Sequence, residues 1–194
     1  SGFDALIMER LGPTLVDEWA RTTQRTHFDG QTLLRYGRGL IECLRTLHAF
    51  GFVHNDIKPN NIVLSTAGSG CAQEVYLIDF GLTTHSDYGG IHGQRGTPNF
   101  ASYAAHAGAP THATDDLESL VYCLAYLASG SLPWMHKRVS RAAIMKRKML
   151  LDGCCASLVE DVPAQRAAEA LQALWAEVVR SRQQRAGREV RTVI

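Results

Sequence analysis

His54-Asn55-Asp56-Ile57-Lys58-Pro59-Asn60-Asn61, with Asp79-Phe80-Gly81 further along, decides the reading of this 194-residue chain. Between the two clusters lie the β-rich runs Ile62-Val63-Leu64 and Val75-Tyr76-Leu77-Ile78, split by Ser65-Thr66-Ala67-Gly68-Ser69-Gly70. That pattern predicts a hairpin with a flexible connection. One polar cluster then precedes its first strand, and an acid closes its second. Asp and Asn are favoured in turns, so any one of these residues reads equally well as a turn former or a strand-end acid. The information is in their order and spacing.

Upstream, Leu33, Leu34, Leu40, Ile41, Leu44 and Leu47 recur at three- and four-residue steps with Arg35, Arg38, Glu42 and Arg45 between them. This predicts an amphipathic helix over residues 32–50, stopped by Gly51. Downstream, residues 81–114 are glycine-rich and carry no sustained period, which predicts a long irregular segment of the kind that is usually functional. Asp115 and Asp116 suit a helix N-terminus and open a run through Leu117, Leu120, Val121, Leu124 and Leu127. Its all-round apolarity predicts a central, buried helix. After the break at Gly130-Ser131-Leu132-Pro133, a helix is expected from near Val139 and a last one from about Ala164 to Arg182. The arginines at 180, 182, 185, 188 and 191 fit the end of that helix and a frayed tail.

Composition excludes several classes. Lys and Arg number 20 against 19 Asp and Glu, and 45% of residues are hydrophobic, so the chain is a globular unit without a global basic attraction to nucleic acid. Nucleic-acid binding ranks last as a function. The longest apolar run, Leu120 to Ala128, is about half a bilayer span, so no membrane segment is expected. Five cysteines at 43, 71, 123, 154 and 155 form no Cys-x-x-Cys pair and read as reduced thiols in an intracellular setting, cytoplasm or nucleus.

The two polar clusters resemble those of a protein kinase. Phosphoryl transfer needs a carboxylate near the nucleophile and oxygen ligands for Mg²⁺ at the phosphates. Asp56 suits the first task and Asn61 with Asp79 the second, while Lys58 is placed to set an ammonium on the transferred phosphate. ATP and Mg²⁺ are the implied cofactors. By the same resemblance His54 is a structural residue beside Phe80.

Further motifs narrow the likeness. Leu6-Ile7-Met8-Glu9-Arg10-Leu11-Gly12-Pro13, Gly96-Thr97-Pro98-Asn99-Phe100-Ala101-Ser102, Asp115-Asp116-Leu117-Glu118-Ser119-Leu120 and Gly130-Ser131-Leu132-Pro133-Trp134 are similar to casein kinase 1 and the vaccinia-related kinases. The resemblance implies Met8 as gatekeeper, Glu9 to Leu11 as the hinge meeting adenine, Asp17 as ribose partner, and Val63 with Ile78 as apolar floor. It also implies that Asp116 anchors the backbone of the 54–61 loop and that Thr97 faces Asp56 on the substrate side. Met8 and Val63 read alternatively as plain core residues, Asp17 as a surface acid and Thr97 as a loop cap.

The expected fold is mainly α (α+β), a protein-kinase-like C-terminal lobe spanning 1–194, a helical bundle with short β-hairpins at the cleft. The family's glycine-rich loop and strand lysine have no counterpart in this sequence: Gly68-Ser69-Gly70 and Gly89-Gly90-Ile91-His92-Gly93 read as loop tips. Two functions stay open, a Ser/Thr protein kinase seen without its N-lobe and a catalytically silent kinase-like interaction module. Asn55 stands where many kinases place an Arg that grips a phosphorylated loop, so phosphorylation of that loop is not expected to act as a switch. Asn99 replaces an Arg that casein kinase 1 uses to read acidic substrate. Lys137, Arg138, Arg141, Lys146, Arg147 and Lys148 form an acid-free run that reads either as a solvated helix face or as a patch for an acidic protein substrate or partner.

Overall fold

The computed structural model describes residues 7–23, 27–66, 74–86, 93, 96–135, 139–153 and 155–192. Seven α-helices occur among them: α1 (Leu15–Thr23), α2 (Gly30–Ala49), α3 (Tyr103–Ala107), α4 (Ala113–Ser129), α5 (Arg141–Met149), α6 (Ala156–Val159) and α7 (Gln165–Thr192). Four short strands complete the order: β1 (Phe52–Val53), β2 (Ile62–Leu64), β3 (Val75–Leu77) and β4 (Thr84–His85). This is the helical lobe expected from the sequence.

Caps explain where the main helices begin and end. Asp29 accepts from the amides of Gln31 and Thr32 at 2.9 and 3.0 Å, which satisfies two free donors at the start of α2. Gly51 ends the same helix at φ +79°, a left-handed turn that glycine adopts without strain, and its amide returns to the His48 carbonyl at 2.9 Å. A β-carbon there would also meet the His85 ring at 2.7 Å. Gly130 ends α4 in the same way, at φ +79°.

Leu33, Tyr36, Leu40 and Leu44 of α2 face Leu120, Val121, Leu124 and Leu127 of α4, and α7 adds Leu171, Trp175 and Val178 to one continuous core. Gly37 lets the helices approach closely, since a β-carbon there would lie 3.3 Å from Leu124. α4 is the buried central element. Trp134 is fully buried against Tyr122, ring centroids 4.9 Å apart, and anchors the turn before α5.

The two runs pair as expected of a hairpin, antiparallel, with Ile62 opposite Leu77, Val63 opposite Tyr76 and Leu64 opposite Val75. A third segment joins it, because Gly12 donates to the Leu64 carbonyl at 2.8 Å, Leu64 donates to the Pro13 carbonyl at 3.0 Å, and Thr14 bridges Val63. A second pairing, β1 with β4, matches Phe52 to His85 and Val53 to Thr84.

Three sequence expectations need correction. The segment 81–114 is not wholly irregular, since α3 forms within it, capped by the Ser102 side chain on the Ala105 amide at 3.1 Å. The final helix runs past Arg182, where it was expected to end, to Thr192, and two of the arginines read as a helix end and frayed tail are engaged: Arg182 pairs with buried Glu118, and Arg185 lies 3.8 Å from Asp115. Helix α1 was not anticipated. No helix among the described residues is long and apolar enough to cross a membrane.

Candidate active site

The 54–61 loop is fixed from beneath by one buried carboxylate. Asp116, in the first turn of α4, accepts from the His54 amide at 2.7 Å and the Asn55 amide at 2.9 Å. His48, near the end of α2, adds its Nε2 at 2.9 Å. A carboxylate this deep is tolerable only with such donors, and here they are two backbone N–H groups and an imidazole. The His54 ring stacks at a tilt on Phe80, centroids 5.1 Å apart. Its Nε2 lies 3.2 Å from the Ile78 carbonyl, a pure acceptor, so Nε2 carries the proton and Nδ1 accepts from the Asp56 amide at 3.3 Å.

Asn55 takes a left-handed conformation, φ +69°, that few side chains adopt, and asparagine is among those that do. Its amide nitrogen reaches the carbonyls of Val53 and Leu82 at 3.1 and 2.8 Å and the Thr84 hydroxyl at 3.0 Å. Its oxygen accepts from the Thr111 hydroxyl. A neutral side chain thus ties the loop to three points of the 82–111 segment.

Asp56, buried, receives four donors. Thr97 gives its amide and hydroxyl to Oδ1 at 3.0 and 3.1 Å. Lys58 Nζ and Asn61 Nδ2 meet Oδ2 at 2.6 and 3.1 Å. Asn61 Nδ2 also reaches the Asp56 carbonyl at 3.0 Å. Asp79 enters from the neighbouring strand end: the Ile78 amide bonds the Asn61 carbonyl at 3.0 Å, which sets the next residue beside Asn61. Asp79 has φ +64° and an exposed side chain whose Oδ1 accepts from the Gly81 amide at 3.4 Å. The structure therefore brings Asp56, Lys58, Asn61, Asp79 and Thr97 to one place, with His54 and Asp116 directly behind them.

The six nucleotide-side residues of the sequence reading are less enclosed. Val63 is buried and Ile78 and Leu11 half-buried, while Glu9 and Asp17 are exposed. Asp17 accepts from the Thr14 hydroxyl at 2.5 Å. Met8 is 59% exposed, which removes the alternative of a plain core residue.

The basic run also needs correction. Lys148 is 1% exposed and donates to the carbonyls of Pro98 and Ala101 at 2.7 and 2.6 Å, so it faces the protein interior. Lys146 and Arg147 are exposed, Arg147 bonding the Pro133 carbonyl at 2.5 Å, and Arg141 is half-buried. Lys137 and Arg138 lie outside the described residues. Asn99 contributes its carbonyl, which accepts from Trp134 Nε1 at 2.9 Å.

Sequence reasoning missed His48, Thr111 and Lys148 as parts of this arrangement. Comparison with known proteins agrees with the geometry. Over 139 residues the chain is 38% identical to the casein kinase 1-like protein HD16 of Oryza sativa subsp. japonica, covering 66% of this chain and 19% of that protein. The chain thus spans about a fifth of the length of that relative. A family model described as protein kinase domain matches residues 4–187, and on that match the chain belongs to the protein kinase family.

Proposed function

We propose that this chain carries the substrate-side half of a Ser/Thr protein kinase active site of the casein kinase 1 type, transferring the γ-phosphate of ATP to protein hydroxyls. One observation carries the reading: Asp56 lies within hydrogen-bond reach of Lys58, Asn61 and Thr97 at once. A substrate hydroxyl replacing one of these donors is oriented by the carboxylate, which takes its proton as the phosphoryl group arrives. Lys58 then turns its ammonium to the transferred phosphate, and Thr97 holds Oδ1 in place.

The donor set suits Mg²⁺. Asn61 spends its N–H groups on Asp56, which leaves its amide oxygen as the acceptor for a cation, and the Asp79 carboxylate is open to solvent. Among the described residues no group of three His, Cys, Asp or Glu could cage a metal alone. Mg²⁺ is usually held by one or two carboxylates plus phosphates and water, so Asn61 and Asp79 fit as its protein ligands. When bound, the metal supplies charge neutralisation at the phosphates. Met8, Glu9, Leu11, Asp17, Val63 and Ile78 would form one wall of the nucleotide cleft. An intracellular setting follows from the use of ATP and fits the free thiols of Cys43, Cys123 and Cys155. The exposed Lys146 and Arg147 give an acidic stretch of a protein substrate a place to rest.

A second reading, a catalytically silent interaction module, draws on the exposed Ile7, Met8, Phe50 and Phe80. Mg-ATP titration of the melting temperature separates the two. A competent site is stabilised by ligand linkage, by about 2.7 kcal/mol at a hundredfold excess over Kd. Asp79→Asn should abolish both that shift and any phosphate transfer without loss of folded protein, because the side chain has a single long bond to Gly81. A wild-type protein that shows no shift at millimolar Mg-ATP would leave the module reading.

A further inference from the structure

Lys148 is a buried ammonium whose partners are neutral. Besides the Pro98 and Ala101 carbonyls, it lies 4.9 Å from the Tyr122 ring centroid and 5.1 Å from that of Trp134. No carboxylate pairs with it among the described residues. Burying a charge this way is costly unless its hydrogen bonds are well made, so these contacts must be good and fixed. They converge on a single turn. The Thr97 carbonyl accepts from the Phe100 and Ala101 amides at 2.9 and 2.8 Å, and the Asn99 carbonyl from Trp134. With Lys148 on the carbonyls of Pro98 and Ala101, four carbonyls of the 97–101 turn are tied down. The residue opening that turn is Thr97, whose amide and hydroxyl both hold Asp56 Oδ1.

We propose that Lys148 is a positioning residue for phosphoryl transfer: from helix α5 it pins the 97–101 turn, and through Thr97 it sets the Asp56 carboxylate and the surface that receives the substrate. This rests on the kinase reading above. Lys148 acts across 47 to 50 residues of sequence and touches neither Asp56 nor the phosphate site. Its neighbourhood supports the assignment. His106 of α3, fully buried beside the backbone of Pro98 and Arg141, and Arg141 of α5 are the titratable or charged groups that act on it or are acted on by it. Burial above all, with the charge of Arg141 added, lowers the Lys148 ammonium to about 7. Nothing but the carbonyls and the two ring faces offsets that cost, so the lysine and the turn depend on each other.

Lys148→Met and Lys148→Arg in the intact protein test this, with amide hydrogen exchange and steady-state transfer to a serine peptide as readouts. For the Met variant, exchange at Thr97, Phe100 and Ala101 should accelerate at least tenfold while the α4 amides hold. Its kcat should fall at least tenfold with the KM for ATP within twofold. Arg, which keeps charge and donors, should restore a third or more of the rate. Wild-type exchange and kcat in the Met variant overturn the proposal. If Met does not yield folded protein, Lys148→Gln, with a shorter reach and two N–H donors, should still raise exchange at the three amides at least threefold, and unchanged exchange overturns the proposal. A wild-type protein that transfers no phosphate overturns the kinase reading and this one with it, whereas active wild type with an equally active Met variant overturns this one alone.

Discussion

The floor of the cleft and its rim are built from opposite materials. On the floor, His54, Asn55, Asp56, Asn61 and Asp116 are all buried and polar, and each has partners within hydrogen-bond distance. Along the rim, Met8, Phe50 at 72% exposure and Phe80 at 51% present apolar surface to water. There the end of α2 and β3 frame a shallow groove lined by Glu42, Cys43, Leu47, Phe50, Tyr76 and Phe80. The contrast shows how the floor is held: Lys58 and Asn61 of its own loop and Thr97 of the 97–101 turn bond Asp56, while Asp116 of α4 fixes the backbone of that loop from beneath. Met8, Glu9 and Asp17, on the side proposed for the nucleotide, are exposed instead.

The sharpest way to break that contrast is Asp116→Ala. Removing the carboxylate leaves the His54 and Asn55 amides and the His48 imidazole without their acceptor in a buried place. A buried donor stranded without its acceptor costs about 1–3 kcal/mol. Denaturant unfolding should show a loss in that range, and transfer activity should disappear before the fold does. A loss under about 1 kcal/mol would mean that the floor is not held by this residue.

Much of the floor was legible in the sequence, and the misses share a cause. Order and spacing of polar motifs pointed to the 54–61 loop and Asp79, and the family resemblance pointed to Asp116. Apart from Thr111, which lies between α3 and α4, what sequence reading missed sits on helices, one turn beyond a buried apolar residue. His48 follows Leu44, Lys148 follows Ile144, and Arg182 follows Val178, each by four positions and so on the same face. Lys148 was read within a basic run and Arg182 within a helix end and its tail, when their helical phase already pointed inward. Helix α1 had a weaker signal: nine residues with a Thr pair at the end leave little room for a period to show. Partners lay beyond reach in any case. Asp116 is 68 residues from His48, and Glu118 is 64 from Arg182, distances that only the fold closes.

Behind the 97–101 turn, His106 and Lys148 should carry a pH signature. His106 is pushed down to about 4, first by burial and then by the charges of Lys148 and Arg141. A histidine with a folded value below its ordinary 6.5 stays neutral while the unfolded chain takes up a proton, so stability is lost as pH falls from 6.5 towards 4. Lys148, at about 7 against an ordinary 10.5, works in the same direction at higher pH: the unfolded chain holds the extra proton between those values, and stability rises across that window. The stability advantage of wild type over His106→Gln should shrink by up to about 3 kcal/mol between pH 7 and 4, as 2.5 pKa units imply. A difference that stays level across that range would show that the ring is not held neutral by its surroundings.

The smallest effect belongs to the rim, and it sharpens the comparison rather than breaking it. Phe50 closes α2 with its ring in water, so Phe50→Ser removes no buried contact and in the 194-residue chain should shift stability by no more than about 0.5 kcal/mol. The same substitution in a protein whose rim is covered costs the transfer energy of a phenyl ring, about 1.5–3 kcal/mol. Unfolding measured on the chain alone and on the intact protein therefore reads how much of the rim is covered. Equal small losses in both leave the groove free for a separate partner, and a large loss only in the intact protein assigns its cover to another part of the same molecule.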